Sequence, residues 1–143
     1  MKRKEVKDVL SYLRFIVDPN KIHHFKRIIN TPARGIGQKT IDNVIDYMEE
    51  KNMTLFEAID DLNEKYPSTK NALLKSFKEM IQKLSDCIET MDLQDFFDKM
   101  LIETGYLEML KEEDFGENNR IENVQEFKSI LYHVDEIYSA DGL

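Results

Sequence analysis

Apolar residues recur along this chain at three- and four-residue intervals, the period of helices that bury one face. Val6, Val9, Leu10, Leu13, Ile16 and Val17 set a first helix over residues 5–17, which Asp18-Pro19-Asn20 ends. Ile22, Phe25, Ile28 and Ile29 set a second over 22–30, with His23, Lys26 and Arg27 on its polar face. The stripe resumes at Ile41, Val44, Ile45 and Met48, so a third helix starts between residues 37 and 40. Lys51-Asn52 turns the chain. Thr54-Leu55-Phe56-Glu57 has the spacing of a capping box and opens a short helix that buries Leu55, Phe56, Ile59 and Leu62. Ser68 caps a long helix over 69–90, with Leu73, Leu74, Phe77, Ile81, Leu84 and Ile88 inward. Asp92 caps the next, which carries Leu93, Phe96, Phe97, Met100 and Leu101 and stops at Gly105. A short helical turn at 106–111 and an acidic loop at 112–119 around Gly116 lead to a last helix over 120–138. Its inward residues are Ile121, Val124, Phe127, Leu131 and Val134, and 139–143 is expected to fray. No segment alternates apolar and polar residues, so no sheet is assigned. The expectation is an all-α fold of seven or eight helices, one compact domain over residues 1–143.

Composition adds to this picture. At 143 residues and 41% hydrophobic content, the chain can build a real core and is not a disordered tail. Its 34% charged residues, with only five Gly and three Pro, fit helices with solvated faces. No run is long enough to span a membrane, and no signal peptide is recognisable. A single cysteine, Cys87, excludes an internal disulfide framework and fits a reducing, cytoplasmic setting. His23 and His24 are adjacent and cannot share a helix face. Neither has a second ligand at metal spacing, so both read as surface histidines and no metal site is assigned.

The connection between the second and third helices carries the distinctive chemistry. It reads Ile28-Ile29-Asn30-Thr31-Pro32-Ala33-Arg34-Gly35-Ile36-Gly37-Gln38-Lys39-Thr40. Pro32 cannot continue a helix and biases Thr31 away from helical angles. Gly35 and Gly37 allow positive φ and leave no Cβ in the way of an approaching group. The N-terminus of the third helix offers free N–H groups beside this open backbone, a setting suited to a phosphate. Arg34 and Lys39 flank it with charge, and Thr40 adds a hydroxyl. This is the pattern of a helix-hairpin-helix, which holds the nucleic-acid backbone without reading bases; the plain alternative is a Gly-rich turn between two packed helices. Charge favours the former. The net charge is −8, yet residues 1–40 carry +7 and the remainder −15. A chain with its basic end around the turn suits an oriented phosphate contact.

Other chemistry is missing. There is no Gly-x-x-x-x-Gly-Lys-Ser/Thr loop for a nucleotide and no Gly-x-Ser-x-Gly nucleophile turn. Asp60-Asp61 and Glu112-Glu113-Asp114 read as solvated acids, and the aromatic residues follow core spacing rather than a base-stacking pattern. The chain by itself is expected to be no enzyme, with no catalytic residue and no cofactor.

Five stretches then resemble one family. Arg3-Lys4-Glu5-Val6-Lys7-Asp8-Val9-Leu10-Ser11-Tyr12-Leu13-Arg14 is similar to the Arg-x-Glu-Ile-Lys-Asp-x-x-Ala-Tyr-Leu-Arg segment of UvrD/PcrA-type superfamily I DNA helicases. Phe25 to Gly37 resembles their Phe-x-Arg-Ile-Ile-Asn-x-Pro-x-Arg-Gly-Ile-Gly. Leu55-Phe56-Glu57-Ala58, Gly105-Tyr106-Leu107-Glu108-Met109-Leu110 and Arg120-Ile121-Glu122-Asn123-Val124-Gln125-Glu126-Phe127 resemble three further family motifs, in the family's order. Val6, Ser11 and Val124 depart from the pattern by small steps, and 63–91 has no residue-by-residue match.

The resemblance implies the helical subdomain called 2B, an insertion in the second motor lobe of a helicase active in DNA repair. The chain would then be an excised fragment of a bacterial helicase, monomeric by itself. ATP and Mg would bind elsewhere in the parent, and the partners would be duplex DNA and the remaining helicase subdomains. It also implies that Thr31, Arg34, Gly35, Ile36, Gly37, Lys39 and Thr40 form the duplex contact, with Ile36 a packing residue rather than a ligand. Arg120, Glu122 and Asn123 would cap and pair internally or touch DNA or a neighbouring subdomain. The alternative is a protein-docking or autoinhibitory helical module whose acidic C-terminal half meets a partner.

Overall fold

Where the apolar stripes fall, helices form. The structure is a computed structural model that describes residues 3–113 and 119–140, and the described residues form eight helices and no strand. They are α1 (Lys4–Val17), α2 (Ile22–Ile28), α3 (Gln38–Lys51), α4 (Leu55–Lys65), α5 (Thr69–Cys87), α6 (Leu93–Glu103), α7 (Tyr106–Glu113) and α8 (Arg120–Ala140). The side chain of Val134, the loop around Gly116 and the last three residues lie outside what is described. None of these helices is long and apolar enough to cross a membrane.

The fold is all-α, as the periodicity predicts. Its backbone groups into two compact units: Leu10–Ser85, and Met1–Val9 with Asp86–Leu143. In the first, the rings of Phe15, Phe25 and Phe77 meet at centroid distances of 5.9–6.1 Å, and Phe56 packs edge-on against Phe15. Val44, Leu55, Ile59, Leu74 and Ile81 close this core. Thr54 caps α4: its hydroxyl accepts from the Glu57 N–H at 3.2 Å, and the Glu57 carboxylate accepts from the Thr54 N–H at 2.9 Å. These bonds hold the Glu57 carboxyl below its ordinary range. Ser68 accepts from the Asn71 N–H at 3.1 Å and so caps α5. Asn52 ends α3 with φ 54°.

In the second unit, Gly105 takes φ +80° after α6, and α7 extends to Glu113, past the short turn the sequence suggests. Asp92 sits at the N-cap of α6 without a side-chain capping bond, unlike the expectation. Two acids of α1 are internal. Asp8 is 2% exposed and accepts from the Tyr106 hydroxyl at 2.8 Å. Glu5 accepts from the Asn123 amide at 2.7 Å. Burial, and after it the Asp8 carboxylate, pushes the Tyr106 phenol far above its ordinary range. Arg120 pairs with Glu113 at 2.5 Å. Arg120 and Asn123 thus have internal partners.

Candidate nucleic-acid interface

The turn between α2 and α3 is held mostly by side chains, with one backbone bond, Thr31 N–H to the Ile28 carbonyl, at its start. Asn30 lies just past α2. Its Oδ1 accepts from the N–H of Arg34 at 3.3 Å and of Ile36 at 3.2 Å, and its Nδ2 donates to the Ile36 carbonyl. Ile36 is 2% exposed and anchors the tip from below. It is a packing residue. Pro32 follows a cis peptide bond, and the Thr31 hydroxyl donates to the Arg27 carbonyl at 3.1 Å.

Arg34 does not stand beside the turn as a free positive charge. Its Nη1 donates to the carbonyls of Ile28 at 2.7 Å and Ile29 at 2.9 Å. These carbonyls end α2; that of Ile28 also accepts from the Thr31 N–H at 3.0 Å, while that of Ile29 receives no onward helical N–H among the described residues. Its Nη2 donates to the Tyr12 hydroxyl at 2.6 Å, which itself donates to the Thr31 carbonyl at 2.5 Å. The guanidinium also lies 4.9 Å from the centroid of the Phe77 ring. The sequence gives Arg34 a flanking charge; the structure turns that charge inward, because the end of α2 needs donors and an aromatic wall stands beside it.

The two glycines differ. Gly35 has φ +75°, where an L side chain is strained. Gly37, expected to share that freedom, has φ −71° and ψ 161° and sits at the N-cap of α3. That is ordinary extended backbone, open to any residue. A Cβ at either position would meet nothing within 4 Å. Packing and φ therefore leave the glycine at 37 unexplained.

Past Gly37, the N–H groups of Thr40 and Ile41 return to the Gly37 carbonyl at 3.1 and 3.2 Å. Among the described residues, no protein acceptor faces the N–H groups of Gly35, Gly37, Gln38 and Lys39. Lys39 is exposed and Thr40 half-buried. Both line an open groove of about 710 Å³ that runs toward the start of α5. Lys70 adds a second cation to it, while Asp42 and Asp46 offset both. Of the seven residues named from the sequence, the structure gathers Gly35, Gly37, Lys39 and Thr40 at the surface of the turn. Thr31, Arg34 and Ile36 form its inner side.

His24 corrects another expectation. It is 8% exposed, and its Nδ1 lies 2.9 Å from the Ser11 hydroxyl. The buried arc of α2 is wide enough to take His24, Phe25 and Ile28 together. Burial, then the neighbouring charges of His23, Arg14, Lys21 and Arg27, hold its imidazole below the ordinary value. Among the described residues, no three His, Cys, Asp or Glu side chains converge as a metal site would require.

Comparison with known proteins adds to this geometry. The UvrD-like helicase C-terminal domain family matches residues 1–141. The ATP-dependent DNA helicase PcrA of Bacillus subtilis is 33% identical over 136 residues, which is 94% of this chain and 18% of that protein. The PcrA helicase of Staphylococcus aureus (strain Mu50) is 37% identical over 132 residues, 90% of this chain and 18% of its own. That of Staphylococcus epidermidis is 36% identical over the same length. The chain spans under a fifth of these relatives.

Proposed function

The chain belongs to the UvrD-like helicase C-terminal domain family, and on that footing we propose that its α2–α3 turn is a helix-hairpin-helix gripping the backbone of duplex DNA. In this reading the chain is an accessory subdomain of an ATP-driven DNA helicase. The observation that carries it is the set of N–H groups at Gly35, Gly37, Gln38 and Lys39, unsatisfied by protein and fronted by two positions without a Cβ. A phosphate placed there accepts from several N–H groups at once at the positive end of the 14-residue helix α3. Lys39 supplies the ionic contact and Thr40 a hydroxyl. No side chain of this set reaches for a base edge, so the contact positions the duplex without reading sequence. Thr31, Arg34 and Ile36 keep the turn in shape. ATP turnover with its Mg²⁺ belongs, in this reading, to other regions of the parent motor.

The test is fluorescence anisotropy of a labelled duplex against the 143-residue chain across a salt series. We expect a dissociation constant of roughly 1–100 micromolar at physiological salt, the same for unrelated sequences. Its logarithm should vary with log salt with a slope of about one per phosphate held. Lys39→Glu should keep the fold and cut affinity about tenfold or more. Binding that ignores salt, or an unchanged Lys39→Glu, places the contact elsewhere and favours a partner-docking module.

A further inference from the structure

We infer that Tyr12 and Asn30 are positioning residues of the phosphate grip, acting through the backbone of the turn; this rests on the reading of the turn as a backbone-gripping hairpin. N–H groups along 34–37 alternate in fate. Those of Arg34 and Ile36 are taken by the single Oδ1 of Asn30, at 3.3 and 3.2 Å, while those of Gly35 and Gly37 have no protein acceptor. One amide side chain thus selects which donors stay available. It also donates to the Ile36 carbonyl, which closes the loop on itself. Without Asn30, the peptide units at 34 and 36 would turn to water, and the four donors would no longer share one arrangement. A phosphate would then have to order them on binding, at a cost to affinity.

Tyr12 does the same from the other end. It is 1% exposed on α1, so its hydroxyl has a fixed position. That hydroxyl accepts from Arg34 Nη2 at 2.6 Å and donates to the Thr31 carbonyl at 2.5 Å, pinning the first half of the loop to α1. Tyr12 is buried and acts only through the groups it holds, so its variant separates positioning from direct contact.

Two variants test this. Asn30→Ala removes the loop clamp from a largely exposed site. Tyr12→Phe removes one buried hydroxyl and keeps the ring that packs. Each is compared with the unsubstituted chain by thermal melting, then by duplex anisotropy at a temperature where all three are folded. We expect affinity to fall roughly fivefold for each and the salt slope to fall by up to about one. Residues that only stabilise the fold would lower the melting temperature and leave the affinity and slope of the folded chain unchanged. That result overturns the inference while the grip itself stands. Salt-independent binding by the unsubstituted chain overturns both. Should Asn30→Ala fail to fold, Tyr12→Phe decides the matter alone.

Discussion

Gly37→Ser separates stability from binding at one atom's distance. Gly37 is the N-cap of α3, with φ −71° and no capping side chain. Serine fits that backbone without strain, and a Cβ there meets nothing within 4 Å. Serine is a better N-cap than glycine by a few tenths of a kcal/mol. Replacing a glycine where φ is compatible also lowers the entropy of the unfolded chain, worth about 0.4–1 kcal/mol. Both effects have the same sign, so the variant should be more stable by about 0.5–1.5 kcal/mol, or about 2–5 °C in melting temperature for a chain of this size. Binding should move the other way. The new hydroxyl accepts from the first-turn N–H groups of α3, and the Cβ occupies the approach to them. Losing one charge-assisted bond of about 1.5–3 kcal/mol weakens duplex affinity roughly ten- to hundredfold. Gly35→Ala is the control. At φ +75° an added Cβ is strained by about 1–2 kcal/mol, so this neighbour should melt lower. Circular dichroism melts and duplex anisotropy on the three proteins check the scheme. A stabilised Gly37→Ser that bound duplex as before would refute the phosphate site at the N-cap of α3. A destabilised one would refute the account of the turn.

Two further outcomes follow from the same side chains. Arg34→Ala removes three donor bonds and the cation over Phe77, and urea unfolding should show a loss of about 2–4 kcal/mol, whereas Lys39→Glu should change stability by under about 0.5 kcal/mol. For His24, burial holds the folded imidazole below the ordinary histidine value of about 6.5, so the unfolded chain takes up the proton first. Its contribution to stability is intact above pH 6.5 and is lost progressively as pH falls below it. Melting temperatures from pH 8 to 5 should drop at the acid end, and His24→Gln should flatten that part of the curve.

The helix stripes were legible because burial follows the 3.6-residue period closely. Ile41, Val44 and Ile45 are buried on α3, and Leu74, Phe77, Ile81 and Leu84 on α5. Local chemistry was equally readable where it is closed within a few residues: the Thr54–Glu57 box, Ser68 at the start of α5 and Gly105 after α6. What the sequence hid is polar residues on apolar faces. Lys78 falls between Phe77 and Ile81 and is 9% exposed, because Asp60 on α4 meets its ammonium at 2.6 Å. Glu5 and Asp8 are buried for partners more than 90 positions away. His24 needed Ser11, thirteen residues earlier. Each depends on a pairing between elements, which periodicity does not encode. The one local hint lies at Arg34, a cation five and six residues beyond the carbonyls that end α2.

Arg34 also changes what kind of grip the hairpin would exert. Counting charge, residues 1–40 offer ten cations, and an ionic clamp is the natural inference. At the turn itself Arg34 is turned onto the α2 carbonyls, which leaves Lys39 as the exposed cation among the named residues. The remaining donors are backbone N–H groups, which carry partial charge and hold a phosphate by geometry. Such a contact neutralises few phosphates, so its salt slope is shallow and its affinity low. It is also the same at every step along a duplex, because every step presents the same phosphate. Under the proposed function, a subdomain past which a duplex slides needs that combination. A strong multi-lysine clamp would raise affinity and, with it, the barrier to each advance. In this reading the acidic balance of the remaining chain, −15 over residues 41–143, confines DNA to the turn and keeps the hold weak.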